Sequence, residues 1–405
     1  MNNITIIGAG ASGLFCSIFL QTKGYNVTVL EKNTKAGRKI LASGNGKCNI
    51  TNTNLSLDQF NTSTNKNFIK YSLENMSFKN IKELFSDMGL IMVHGDGSKM
   101  YPMSLQASSV SEILYDTAIH CGVRFVFNEE VQNINYKNER FVLNNKYESE
   151  YLVLASGSNA MSKLGSSSSG YEFAKQFNHK ITKLLPSLVQ LKSDEKSLFS
   201  LSGVKINASV TLVINKKNIR TVLGDILFTK YGLSGNTILE LSRKAAFALE
   251  AKENVFIHID LLPEYSSKKL FELLQNRKHL LKNKAVNYLL KSIINDKLIN
   301  YIFKESNIKC EKVDNLSKQN ISNIVHILKN VNINISDTNG FENAEVVAGG
   351  IDLNEVNERT MQSKKQKNLY FCGELLDVDG NCGGYNFHWA WSSAYTLANS
   401  FKGIK

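Results

Sequence analysis

A chain of 405 residues is too long for one ordinary hydrophobic core, so two or three domains are expected. With 42% hydrophobic and 21% charged residues it has the composition of a soluble globular protein, and no stretch approaches the ~18 continuous apolar residues of a membrane span. A net charge of +12 would suit a polyanionic partner such as RNA, but only seven of the 48 basic residues are arginine and the wealth of Lys, Asn and Ile is what an AT-rich genome produces, so charge alone favours nucleic acid only weakly.

The chain begins with an apolar run, 4–7, that reads as a buried parallel strand and runs straight into Gly8-Ala9-Gly10-Ala11-Ser12-Gly13. A helical pattern follows, then a second apolar run, 27–30, that stops at Glu31. Each glycine has a task. Gly8 permits the tight turn, Gly10 lets backbone N–H groups of Ala11 and Ser12 approach a pyrophosphate, and Gly13 lets the helix lie close on the strand. Glu31 lies 18 residues past Gly13, near the ~20-residue offset of an acid that binds a ribose hydroxyl. Strand, turn, helix, strand and acid together predict a dinucleotide site. The run 4–20 could be mistaken for a secretion signal, but it has no basic leader and is broken by the glycines the site needs. Cys16, Cys48, Cys121, Cys310, Cys372 and Cys382 show no CxxC spacing, which suits a reducing cytoplasm and argues against a structural metal.

Behind Glu31 and Lys32 comes a long polar segment, 36–52, where an idle connection would be short. Its small residues, amides and basic groups suit a loop lying along an extended cofactor, with Arg38 or Lys47 near phosphate or flavin oxygens. This segment, GRKILASGNGKCNITN, resembles the second signature of the BaiN-type FAD-dependent oxidoreductases, which include ribosomal RNA dihydrouridine synthases. The family pattern G-R-K-x-x-x-S-G-G-G-R-C-N-x-T-N is kept except that Asn45 replaces a glycine and Lys47 an arginine. The resemblance implies that Ser43, Gly44, Lys47, Cys48 and Asn49 line the flavin.

Further along, two short amphipathic helices are expected over 68–88, a turn at 100–102, a helix over 105–121, and strands at 123–127, 131–134, 141–143 and 151–154. The resemblance puts Val131 beside the adenine and Ala155-Ser156-Gly157 in a backbone turn near the cofactor. The stretch 165–171 lacks the aspartate of the family's G-S-T-G-D-G-Y. Beyond Pro186 a hairpin is expected over 204–223, a strand at 225–228, a helix ending near Leu249 and a strand at 255–259. Lys230 and Asn236 stand where the family's F-T-H-x-G-x-S-G-P block has His and Pro. The region 266–329 reads as helical and basic, with Lys268, Lys269, Arg277, Lys278, Lys282, Lys284, Lys291 and Lys297 on either a solvated face or one that contacts RNA phosphates.

Strands at 344–347 and 369–371 then lead to Gly373-Glu374, to Leu376-Asp377-Val378-Asp379-Gly380, and to Gly383-Gly384-Tyr385-Asn386-Phe387-His388-Trp389-Ala390-Trp391, which opens a small-residue helix. The run is similar to the family's L-Y-F-x-G-E, L-D-V-D-G and G-G-Y-N-x-Q-W-A-W, with His388 for the usual Gln. It implies that Gly373, Glu374, Asp379, Gly384, Tyr385 and Asn386 serve the cofactor. A helix starting near Gly384 would aim N–H groups at the flavin.

The expected architecture is α/β: a two-segment, FAD-binding Rossmann-type domain (1–190 and 331–405) with an inserted β-rich domain (191–264) and an inserted basic helical subdomain (265–330). There is one permanent dinucleotide site, better filled by FAD than NAD because only a long, buried cofactor needs the distal blocks. NADH or NADPH is then a transient reductant. The resemblance implies reduction of a conjugated C=C bond, either in a uridine of large-subunit ribosomal RNA, giving dihydrouridine, or in a bile-acid or steroid-like enone. A non-catalytic RNA-binding flavoprotein is the third reading. A proton donor is needed on the substrate face of the flavin. Cys48 is the first candidate, because it lies in the flavin loop, and Tyr385 and His388 are the others. The spacing leaves the oligomeric state open.

Overall fold

A computed structural model of the protein describes residues 2–404 and divides into two compact units. One comprises the residues up to Pro186 with those from Phe341 onward; the other is Ser187–Gly340.

The first unit is built on a five-stranded parallel sheet in the order Leu369–Phe371, Tyr151–Leu154, Asn3–Ile7, Asn26–Glu31, Arg124–Phe127. The central strands are apolar on both faces, because helices cover both sides of a parallel sheet. Ile4, Ile6, Val27, Val29 and Val153 are all buried. Ile4 stands opposite Val27 on one side and Tyr151 on the other, and Leu152 stands opposite Leu369, so the last segment of the chain supplies the sheet's edge. The helix Ala11–Thr22 packs against the helix Tyr385–Ser400 through Phe15 and Trp391, whose ring centres are 5.4 Å apart, and through the edge-on pair Phe19–Tyr395 at 5.2 Å. Truncating a buried aromatic of this kind costs about 3–5 kcal/mol.

Two expected elements of this unit differ. The segment 100–102 is not a turn but the end of a strand, Lys99–Pro102, paired antiparallel with Met92–His94 and with Thr51–Asn52. Pro102 is tolerated because it occupies the strand's last position, where a missing N–H breaks no internal ladder. The strand expected at 131–134 starts only at Ile134, because the N–H groups of Gln132 and Asn133 donate to the Asn144 side chain at 2.8 and 3.4 Å.

The second unit holds a seven-stranded antiparallel sheet in the order Val331–Ile335, Val255–Asp260, Lys205–Ile214, Lys217–Thr229, Gly232–Ser234, Leu191–Lys192, Asp337–Thr338. The two strands expected at 219–223 and 225–228 are one, since Gly224 continues the ladder opposite Ala208. Helices Asn236–Glu250, Ser267–Leu280, Asp296–Glu305 and Lys318–Lys329 share one hydrophobic core with this sheet, joining Leu212 and Ile257 to Leu241, Leu274, Ile302 and Ile324. The β-rich and helical stretches therefore lie in one unit. The return to the first unit comes at Phe341 and not at 331, because Val331–Ile335 pairs with Val255–Asp260. No helix of the described residues is long and apolar enough to cross a membrane.

Candidate active site

The glycine turn is held by close backbone contacts. A Cβ at Gly8, where φ is +103°, would lie 2.7 Å from the Ala155 carbonyl oxygen, and a Cβ at Gly13 would collide with the carbonyl of Gly8. At Gly10 a Cβ would meet nothing within 4 Å, so the space in front of the helix start is open. The helix Ala11–Thr22 has no side-chain cap and no acid in its first turn, and the first N–H groups of any helix lack intrahelical partners. The N-terminus is thereby electropositive and available to an anion.

Glu31 is buried beside this turn. Its Oε2 accepts from Ala9 N–H at 2.8 Å, and its Oε1 accepts from the backbone and side-chain N–H of Asn33 at 2.8 and 2.6 Å. Arg38 donates to Asn33 Oδ1 at 2.7 Å, so it braces the Glu31 turn through Asn33. Lys32 lies further out, 4.0 Å from Glu130. The Glu129 N–H donates to the Glu31 carbonyl, and this brings the stretch holding buried Val131 alongside.

The loop after Arg38 turns sharply. Gly44, Asn45, Gly46 and Cys48 have φ of +55°, +55°, +80° and +56°. Asn45 stands in a conformation that Asn tolerates better than most side chains, which accounts for its replacing a glycine. Residues 44–47, Lys47 included, are exposed, and Cys48 and Asn49 turn inward.

Direct hydrogen bonds join the segment 50–54 to the C-terminal block. Thr51 Oγ1 lies 2.8 Å from His388 Nδ1, Asn52 Nδ2 donates to the Gly383 carbonyl at 2.8 Å, Tyr385 OH donates to the Asn54 carbonyl at 3.1 Å, and Trp391 Nε1 donates to the Ile50 carbonyl at 2.9 Å. Gly384, at φ +90°, admits no side chain: a Cβ would lie 2.7 Å from both Asn49 Oδ1 and the Thr51 carbonyl. It starts the helix Tyr385–Ser400, which again has no side-chain cap and no acid in its first turn. Asn386 brackets Gly380 with two hydrogen bonds, of 2.8 and 2.9 Å, and Asp379 is buried next to it.

The glycine turn reaches the same block. A Cβ at Gly373 would lie 2.5 Å from Ser12 Oγ, and Trp389 Nε1 donates to the Gly373 carbonyl at 3.1 Å. Glu374 pairs with Lys39 at 2.6 Å and accepts from Val347 N–H at 3.1 Å. Asp377, which sequence reasoning left without a role, accepts from Ser63 N–H at 3.0 Å and Ser63 Oγ at 2.6 Å, and so pins that loop.

The three proton-donor candidates are all enclosed. His388 is fully buried, and burial pushes its imidazole down to about 4. The Met76 carbonyl can only accept, so Nε2 carries the hydrogen of the 2.9 Å contact and Nδ1 accepts from Thr51. Both ring nitrogens are then committed. The Tyr385 hydroxyl is spent on Asn54. Burial pushes the Cys48 thiol up to about 12 against a smaller opposing contribution from the Ser43 hydroxyl.

Two titratable groups that sequence reasoning missed stand more openly. Tyr101 is half-buried, and burial raises its phenol, with Lys99 pulling the other way. Glu345 is exposed on the surface yet crowded by nearby protein, which raises its carboxyl, and Lys39 and Lys99 oppose the rise. The available signal was the spacing of Lys99 and Tyr101, which share a strand face once 99–102 is read as a strand.

The arrangement fits an elongated dinucleotide such as FAD. Two uncapped helix starts are available to it, Gly10 leaves room at the first, and the buried hydroxyls of Ser156 and Tyr171 have no hydrogen-bond partner among the described residues. Gly8, Gly10, Ala11, Ser12, Gly13 and Glu31 would hold the pyrophosphate and ribose end. Ser43–Asn49 and Gly384–Asn386 would flank the ring.

In the second unit, half of the basic residues that sequence reasoning grouped together serve the fold. Arg277 donates to the carbonyls of Leu289, Tyr288 and Lys291, Lys278 to that of Leu316 and Lys297 to that of Ser202, while Lys291 pairs with Asp296. Lys268, Lys269, Lys282 and Lys284 are exposed and make no ion pair among the described residues.

The family profile described as HI0933-like protein Rossmann domain matches residues 2–400. The chain is 31% identical over 401 residues, 98% of each chain, to a 3-dehydro-bile acid delta(4,6)-reductase of Clostridium scindens. It is likewise 31% identical over 406 residues, 98% of each chain, to a ribosomal RNA dihydrouridine synthase of Haemophilus influenzae. Among solved structures, the 3-ketosteroid delta1-dehydrogenase of Sterolibacterium denitrificans superposes with a TM-score of 0.52 over 99% of each chain at 12% identity, a likeness of fold.

Proposed function

This chain belongs to the HI0933-like Rossmann family of FAD-dependent oxidoreductases, and from that premise we propose that it reduces the C5=C6 bond of a uridine in large-subunit ribosomal RNA to dihydrouridine, with NADH or NADPH as the electron source. The observation that carries the reading is the lacing of residues 50–54 to 383–391 beside two uncapped helix starts, a frame suited to one buried, extended redox cofactor. FAD bound there supplies the hydride.

The chain's own residues do the rest. The N–H groups at Gly10–Gly13 hold the pyrophosphate, Glu31 orients the ribose, and the helix start at Gly384 and Tyr385 favours negative charge on the ring edge. Lys268, Lys269, Lys282 and Lys284 supply the phosphate contacts that retain RNA. A uridine accessible in folded RNA, or turned out of its stack, is the form of substrate such a buried site accepts.

The test is mass mapping of ribosomal RNA from cells with and without the gene. A uridine heavier by two hydrogens should vanish on deletion and return on complementation. Dihydrouridine that persists at every position refutes the substrate. The similarity to the bile-acid reductase supports a second reading, reduction of a small conjugated ketone. Purified enzyme turning over such an enone, but not RNA, would select it.

A further inference from the structure

The reduction needs a proton at the carbon α to the substrate's carbonyl once hydride has reached the β carbon, and the enclosed Cys48, Tyr385 and His388 are poorly placed to give one. Tyr101 differs from them in three respects. Its ring is wedged among the loops of the site: a Cβ at Gly44 would touch Cε1 at 3.5 Å, and a Cβ at Gly95 would run into the opposite ring edge. Its strand neighbour Met100 donates to Asn49 Oδ1 and accepts from Ile50 N–H, so Tyr101 adjoins the Ser43–Asn49 loop that would flank the ring, and Lys99, Asp96, Cys382 and Cys48 are the ionisable groups that act on its phenol. Finally, the hydroxyl makes no hydrogen bond among the described residues and remains partly open to solvent.

We propose that Tyr101 is the proton donor of the reduction, an inference that rests on the reading of this site as a flavin-dependent C=C reductase. The C=C π bond gives way to two C–H bonds. Hydride arrives at the β carbon, the Tyr101 O–H breaks and its proton goes to the α carbon, and the phenolate takes a proton back from water. The electron pair comes from NADH or NADPH by way of the flavin, which ends oxidised. Lys99, on the same strand face, stabilises the transient phenolate. Burial keeps the phenol protonated across the neutral range, as an acid requires.

The test compares the wild type with Tyr101→Phe, a change that removes a hydroxyl with no hydrogen bond to lose among the described residues. FAD content and the rate of flavin reduction by NAD(P)H should match. With prereduced enzyme, single-turnover flavin oxidation by whichever acceptor the wild type reduces, an rRNA fragment or a steroid 4-en-3-one, should slow by about 100-fold or more. Site-specific 3-fluorotyrosine at position 101 should restore the rate and move its alkaline limb to lower pH. Independently of turnover, near-ultraviolet titration of the Tyr101 phenolate, wild type minus variant, should shift when FAD is loaded.

Undiminished single turnover in Tyr101→Phe overturns the inference, as does a loss confined to Glu345→Gln. A phenolate titration indifferent to FAD overturns it even if no acceptor is found. A wild type that binds FAD but reduces neither acceptor counts instead against the proposed reaction, which keeps the two failures apart.

Discussion

His388→Gln isolates what a buried histidine does to this protein in acid. In the native state the imidazole is held at about 4 by burial, whereas in the unfolded chain it returns to ~6.5. The unfolded state therefore binds a proton between these values that the folded state refuses. Stability is undiminished above the unfolded value, falls as the pH drops through it, and levels off below the folded one. At ~1.4 kcal/mol per pH decade the full difference is about 3 kcal/mol, of which about 2 kcal/mol is already lost near pH 5. Glutamine can keep both contacts, its amide N–H donating to Met76 and its carbonyl accepting from Thr51. Urea unfolding from neutral pH downward should thus give variant and wild type within about 1 kcal/mol at neutrality, diverging in the variant's favour by about 2 kcal/mol near pH 5. His179, also held at about 4, is present in both and leaves a residual slope common to the two. Parallel curves over the acid range would refute the argument.

Gly13→Ala places a methyl on the Gly8 carbonyl oxygen, within backbone that cannot turn aside; a loss of about 3 kcal/mol in thermal or urea unfolding, with FAD released, is expected, and wild-type stability and flavin content would contradict it. Lys282→Glu with Lys284→Glu should weaken RNA binding by about tenfold or more and flatten its log–log salt dependence by about 2, with flavin content untouched; fluorescence anisotropy over a salt series measures both. Arg277→Ala is the contrasting case. It strips the donor from three carbonyls and should destabilise the protein by about 2–3 kcal/mol while leaving the salt slope of RNA binding unchanged.

The glycine turn and its flanking strands were legible because their requirements are local: both-sided burial makes apolar runs, and Gly8 and Gly13 mark backbone approaches that no other residue permits. The signature loops were legible as loops. What joins them was not, since no pattern in residues 50–54 states that their partners are Gly383, Tyr385 and Trp391. Burial was the part of the candidate acids' surroundings that sequence could not state. Cys48 and His388 carry suitable chemistry by type, but packing encloses both, whereas Tyr101 was hidden by Pro102, which reads as a turn until its terminal place in a strand is seen. Arg277 and Lys278 looked like solvated charge because sequence does not reveal which carbonyls a helix leaves to be capped.

The Trp391 bond to Ile50 spans 341 positions of the chain, and the strand Leu369–Phe371 borders one made from Tyr151–Leu154. During synthesis the residues up to Pro186 must therefore wait on the ribosome, their sheet unfinished along one edge, while Ser187–Gly340, with a core of its own, emerges in between. In nascent chains halted before Tyr385, the residues up to Pro186 should stay protease-sensitive while Ser187–Gly340 becomes resistant, and no yellow dye should be retained. Only release of the final helix should lock the product, so slow translation of the interval between would lengthen its dependence on chaperones.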